Sequence, residues 1–149
     1  MRRETKAYIE AELREYDQTK KDLEDAKDDI RNEGFAVKYD NVGGTPGNNI
    51  SRTTENKTIR ILTNKRIKRM EQVVRTIDLV ISELDEVKLK LVELKYWQRP
   101  RRLTDAGIAQ EIGCDRSTAW RWTEGILLAI AIELGLENGT CNKHATFRG

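Results

Sequence analysis

The stretch Cys114–Trp122, CDRSTAWRW, decides how the C-terminal half of this chain folds. If it is helical, Trp120 and Trp122 point about 200° apart, because each residue turns roughly 100°. A short helix seldom buries two opposite faces. One tryptophan therefore belongs to a core and the other faces elsewhere. The residues just upstream, TDAGIAQEIG at 104–113, set the register. Thr104 is a good N-cap for a short helix through Ile112, and Gly113 breaks it. Asp115 can cap the next helix, which runs to about Leu134 and ends at Gly135.

Two helices joined this way need a small residue where they cross, a turn residue tolerant of positive φ, and apolar residues that lock the second helix down. Ala109 is the small residue, and Gly113, four positions on, is the turn. Ile108 and Ile112 face inward one helical turn apart, and Cys114 plugs the turn. Ala119 and Trp122, three apart, share the buried face, which Ile126 extends. This pattern predicts a helix-turn-helix with Trp122 inside. Arg116, Ser117, Thr118, Trp120, Arg121 and Glu124 then project outward.

That outward set has nucleic-acid chemistry. Arginine donates two hydrogen bonds to guanine O6 and N7. Ser117 and Thr118 suit phosphate or base edges, and the helix N-terminus favours phosphate. Trp120 either meets a thymine methyl or the sugar-phosphate edge, or packs against the preceding helix. Arg99, Arg101 and Arg102 precede the motif, where a DNA backbone would pass and give salt-dependent affinity. Thr104 opens the first helix of the motif beside them.

Further out, charge is segregated. Residues 1–40 carry nine basic and twelve acidic groups, whereas 51–75 carry eight basic and two acidic. Residues 95–102 hold four basic groups and none acidic. The basic 51–75 island, with Arg52, Lys57, Lys65, Arg66, Lys68 and Arg69, offers flanking phosphate contacts; the plainer alternative is a solvated helical face.

Helical periodicity accounts for most of the remainder. Ile9, Leu13, Tyr16, Leu23 and Ile30 keep a helical spacing, with Lys20 and Lys27 interrupting the seam. Such a helix packs on its own chain or pairs weakly with a second copy. Ile59, Thr63, Ile67, Met70, Val74, Ile77, Ile81 and Leu84 form a second stripe, facing either this chain's core or a partner. The next helix places Val87, Leu91, Leu94 and Trp97 on one face and stops at Pro100. Between the first two helices lie four of the ten glycines, a linker composition. Its GGTPG is no phosphate loop, since no Gly-Lys-Ser/Thr follows. The expected organisation is an N-terminal helix (1–33), a linker (34–53), a long helix (54–84), a helix-turn-helix domain (85–136) and a frayed tail (137–149).

Composition narrows the class. The chain has 149 residues, 38% hydrophobic and 35% charged, with mean hydropathy −0.70. That profile predicts a soluble all-α protein. No run reaches the roughly 18 apolar residues of a membrane span, and the charged N-terminus has no signal-peptide core. Cys114 and Cys141 form no metal pattern and suit a reducing cytoplasm. His144, the single histidine, lies in the tail. No metal site, cofactor site or catalytic set is expected.

Residues 84–136 resemble region 4 of a bacterial sigma factor. Leu84, Leu91 and Tyr96 match its first helix, Leu103-Thr104 its loop, Ile108-Ala109 its second helix, and Asp115–Ala119 the start of its recognition helix. From Gly43 onward, including NKRIKRMEQVVRTID and the KYW segment, the chain is similar to the RinA/ArpU family of phage late-gene transcriptional regulators. This resemblance implies binding to double-stranded DNA near promoters, activation of packaging and morphogenesis genes, and contact with host RNA polymerase in the bacterial cytoplasm. The helical seams suggest a homodimer or higher oligomer reading paired half-sites. One departure is Gly107, where sigma-like domains carry a glutamate, so no capping box with Thr104 forms. Two rival readings remain: a small terminase subunit that binds packaging-site DNA as a ring, and a helical adaptor that binds only protein.

Overall fold

The computed structural model describes residues 1–36 and 49–138, with side chains described for 1–32 and 59–138. Every regular element among these residues is helical: α1 (Arg3–Ala36), α2 (Asn49–Ser82), α3 (Glu86–Val92), a π-helical turn (Glu93–Trp97), α4 (Asp105–Ile112) and α5 (Arg116–Glu133). None of them is long and apolar enough to cross a membrane. The expected linker is helical at both ends, since α1 continues to Ala36 and α2 starts at Asn49 rather than Thr54. Its remainder, 37–48, lies outside the described residues, as does the tail from 139.

The chain divides into two units, Met1–Tyr16 with the chain from Val73, and Asp17–Gln72. Helices α1 and α2 each contribute to both. The first unit thus joins the start of the N-terminal helix to the C-terminal helices, a grouping that differs from the linear division expected from composition.

In the first unit α3 starts at Asp85, whose side chain accepts a hydrogen bond from the Lys88 amide at 2.8 Å. Its inner face is Lys88, Leu91 and Val92, followed by Tyr96 on the π turn. Val87 is exposed. The expected stripe of Val87, Leu91, Leu94 and Trp97 is therefore one residue out of register at its start, because a lysine takes an inward position. The π turn closes with the Gln98 amide donating to the Glu93 carbonyl at 2.8 Å. It turns Trp97 toward α1, where the indole Nε1 donates to the Leu13 carbonyl at 3.0 Å. Trp97 also stacks on Tyr16, with ring centres 5.6 Å apart.

These contacts show how the N-terminal helix is used. Tyr96 donates to Glu10 at 3.1 Å, Tyr16 bonds Asp78, and Lys6 pairs with Glu124. Ile9 and Leu13 are fully buried, as are Ile77, Leu127 and Ile130. Of the two options open to the first seam, its N-terminal part takes packing within the chain. Burying such aliphatic side chains contributes roughly 1.5–3 kcal/mol each, before the entropy of ordering is counted.

Beside this layer lies a second cluster, built on Leu91, Ile108, Ala109 and Ala119. Leu94, Leu103, Ile112, Cys114 and Trp122 pack against it. It holds α3, α4 and the first turns of α5 together.

The second unit contains the later part of α1 and the earlier part of α2. Leu23 and Ile67 are buried there, and Lys27 pairs with Glu71 at 2.6 Å.

Candidate nucleic-acid interface

The arrangement of α4, turn and α5 is set by local chemistry. Thr104 caps α4, its Oγ1 accepting from the Gly107 amide at 3.2 Å. At the other end Gly113 has φ +75°, a left-handed conformation that costs an L side chain roughly 1–2 kcal/mol. The Cys114 amide reaches back to the Ala109 carbonyl at 3.0 Å, and the Gly113 amide to Gln110 at 3.1 Å. This six-to-one and five-to-two pair is a Schellman ending, which satisfies carbonyls that would otherwise be orphaned. Asp115 has the extended backbone of an N-cap, but its side chain makes no capping hydrogen bond. The turn is thus held from the α4 side, not by the aspartate expected to start α5. Burial pushes the Cys114 thiol up, with the nearby Asp115 charge adding to the effect.

Helix α5 has two contrasting faces. Ala119, Thr123, Ile126, Leu127, Ile130 and Ala131 are buried. Trp122 is half-buried against the α3–α4 cluster, and Trp120 is 58% exposed. Arg116, Ser117 and Arg121 are exposed with Trp120, while Thr118 is half-buried. Among the described residues, Arg116, Ser117, Trp120 and Arg121 have no side-chain hydrogen bond, ion pair or ring contact. Glu124, expected on this same face, is half-buried and occupied by Lys6.

The upstream arginines differ from one another. Arg99 donates to the Arg14 carbonyl at 2.5 Å. Arg101 donates through Nε to the Leu103 carbonyl at 3.0 Å and through a terminal nitrogen to Asp105 at 2.6 Å. Lys95 approaches the same carboxylate at 3.5 Å. Burial alone would raise the Asp105 carboxyl, but Lys95 and Arg101 outweigh it and hold it below the usual range. Arg102 is exposed and has no such partner among the described residues. Arg102 and Arg116 both line an open depression of about 560 Å³, with Arg101 and Thr104 beside them. Thr104 is exposed, and its Oγ1 accepts the α4 cap hydrogen bond.

The 51–75 island belongs to the second unit as far as Gln72. Lys65, Arg66, Lys68 and Arg69 are exposed on α2, and Arg69 already has a partner. Arg52 and Lys57 lie within α2, but their side chains are outside the described residues.

Sequence reasoning missed Lys88. Its ammonium is buried, 3.1 Å from Asp85 and 5.6 Å from the centre of the Trp122 ring. The signal was available in its place three residues after Asp85 and three before Leu91. The Asp85 carboxyl is held low chiefly by the Lys88 amide, against the opposing effect of burial and with help from the Lys88 side chain.

The chain belongs to the family described as "Protein of unknown function (DUF722)", whose profile matches residues 6–131. That match runs from Lys6 in α1 through the Gly113 turn to Ala131 in α5. No curated protein and no solved structure matches the chain.

Proposed function

We propose that this protein binds double-stranded DNA sequence-specifically and regulates transcription, with α4, the Gly113 turn and α5 acting as a helix-turn-helix of the sigma region 4 kind. The observation that carries this reading is the outward row on α5. Arg116, Ser117, Trp120 and Arg121 are exposed and unengaged, while the opposite face of the same helix is buried. Two solvated arginines thus stand beside an exposed indole on one face of the helix. In a major groove those groups meet guanine edges, phosphates and thymine methyls.

In this reading α5 enters the groove N-terminus first. Arg121 reads a base, and Arg116 and Arg102 take phosphates at the depression they line. The resemblance to RinA/ArpU regulators makes phage packaging and morphogenesis genes the target and host RNA polymerase a second partner.

Selection from random duplexes, followed by footprinting on the parent genome, tests the proposal. A defined site, and discrimination at one base position that drops by about 1–3 kcal/mol in Arg121→Ala, is the expected result. No retention of any duplex at physiological salt would leave the protein-only adaptor. An assembly of eight or more copies on a packaging site would favour the terminase reading.

A further inference from the structure

We infer that the second unit is a docking surface for a second copy of the same chain, forming a two-fold four-helix assembly from two α1–α2 hairpins. This goes beyond the DNA reading and does not depend on it.

The starting point is an apolar surface left exposed among the described residues of the unit. Between α1 and α2 lies a cleft of about 690 Å³ with Ala26, Ile30, Ile59, Ile67 and Met70 in its wall. Ile67 is buried, but Ile59 is 60% exposed and Ile30 40% exposed. Leu62, three residues from Ile59 and so on its flank, is 60% exposed as well. An amphipathic helix presents a stripe wider than one neighbouring helix covers. Two hairpins placed face to face close it.

The charges at the cleft say what the partner is. Asp22, Asp25 and Asp29 stand on the α1 side, at i, i+3 and i+7. Such neighbouring like charges repel one another. Arg60 and Arg66 stand on the α2 side. Asp25, Asp29, Arg60 and Arg66 form no ion pair among the described residues, although both signs line one cleft. Across residues 17–32, six carboxylates face four cations, whereas residues 59–72 carry five cations and one carboxylate. A two-fold interface must be complementary to itself, each patch meeting its counterpart on the other copy. A hairpin with one acidic and one basic helix meets that condition. The aspartates of each copy would pair with Arg60 and Arg66 of the other, on both sides of a shared Ile30–Ile59 core.

Lys68, about half a turn from Ile59, stays outside the contact.

The full chain without DNA provides the test, by sedimentation or light scattering across a concentration series. The expected mass is twice 17.2 kDa. Because Ile59 and Leu62 are exposed within one copy, the double change Ile59→Gln, Leu62→Gln should leave helical content intact and raise the dimer dissociation constant at least about tenfold. Two charge-reversed chains give an independent arm: Asp22→Lys, Asp25→Lys, Asp29→Lys in one and Arg60→Glu, Arg66→Glu in the other. Each alone should dimerise more weakly than the parent chain, and a mixture of the two should form the heterodimer. A chain that stays at 17.2 kDa to tens of micromolar overturns the inference, as does a dimer indifferent to the Ile59 and Leu62 changes, or a larger ring. None of these outcomes bears on whether α5 binds DNA.

Discussion

Lys88 holds its ammonium 5.6 Å from the centre of the Trp122 ring and 3.1 Å from Asp85. One buried cation thus ties the start of α3 to the first turns of α5. A cation over an indole contributes roughly 0.5–2 kcal/mol, more as it is desolvated. A double-mutant cycle with Lys88→Met and Trp122→Leu should give a coupling of about 1–2 kcal/mol in urea unfolding. Strict additivity of the two changes would reduce the pair to a packing neighbourhood.

The two tryptophans of CDRSTAWRW should separate stability from binding. Trp122 packs on the α3–α4 cluster while half-exposed, so Trp122→Ala should cost about 2–4 kcal/mol, near the lower end for a large aromatic. Trp120, 58% exposed, should cost no more than about 0.5 kcal/mol as alanine, while weakening DNA retention. Denaturant melts and duplex titrations on the same samples decide this. An opposite pattern would mean that α5 is rotated from the face assigned to it.

Gly107 within α4 and Gly113 just after it should respond with opposite signs. A Cβ on Gly107 would meet Leu103 Cδ2 and Thr104 Oγ1 at 3.5 Å, ordinary contact distances. Gly107→Ala should therefore stabilise by about 0.5–1 kcal/mol through helix propensity and a less free unfolded chain. Gly113 has φ +75°, and Gly113→Ala should destabilise by about 1–2 kcal/mol although nothing crowds it. Thermal melts of the two variants either straddle the parent or refute the backbone assignment.

What was legible in the sequence follows the same division between local and distant chemistry. Ala109, Gly113, Ala119 and Trp122 lie within fourteen residues, and their spacing alone sets the turn and the buried face. The α1 seam was visible as a stripe, but periodicity names a face and not its neighbour. That Leu13 would receive the Trp97 indole, 84 positions on, has no local signature. The inward Lys88 was hidden because a lysine is excluded from a seam by type, although a carboxylate and an indole make its burial tolerable. Arg99 and Arg101 read as free cations because the groups that occupy them, the Arg14 carbonyl and Asp105, are recognisable only in three dimensions.

Burial raises the Tyr96 phenol above its ordinary value of 10.0, with the Glu10 carboxylate adding to the effect. The sign is fixed by which state ionises first. Below pH 10 Tyr96 is neutral in both states and its contribution is fully present. Above that the unfolded chain loses the proton while the folded chain keeps it, so stability falls as pH rises. The slope from this group approaches about 1.4 kcal/mol per pH unit. Tyr96→Phe should be less stable at neutral pH by about 1 kcal/mol, for the lost bond to Glu10. Its stability should decline less steeply than the parent's between about pH 10 and 11.5. Parallel declines in denaturant midpoints would show that another group carries the alkaline loss.

The upstream arginines give the sharpest distinction at the proposed DNA interface. A phosphate contact releases counterions, and each one steepens the dependence of log affinity on log salt by about 0.9. Arg102 and Arg116 are exposed, unengaged and line one depression, so each replaced by alanine should flatten that slope by about one contact. Arg101 is already held by Asp105 at 2.6 Å, and moving it to a phosphate would leave that carboxylate beside the DNA. Arg101→Ala should therefore change the slope by less than half a contact, roughly 0.4 or below. Asp105→Asn should instead strengthen binding, because it removes a repelling charge and frees Arg101. Equal slope changes for Arg101 and Arg102 would mean that DNA breaks the Arg101–Asp105 pair, and the interface would then extend across the start of α4.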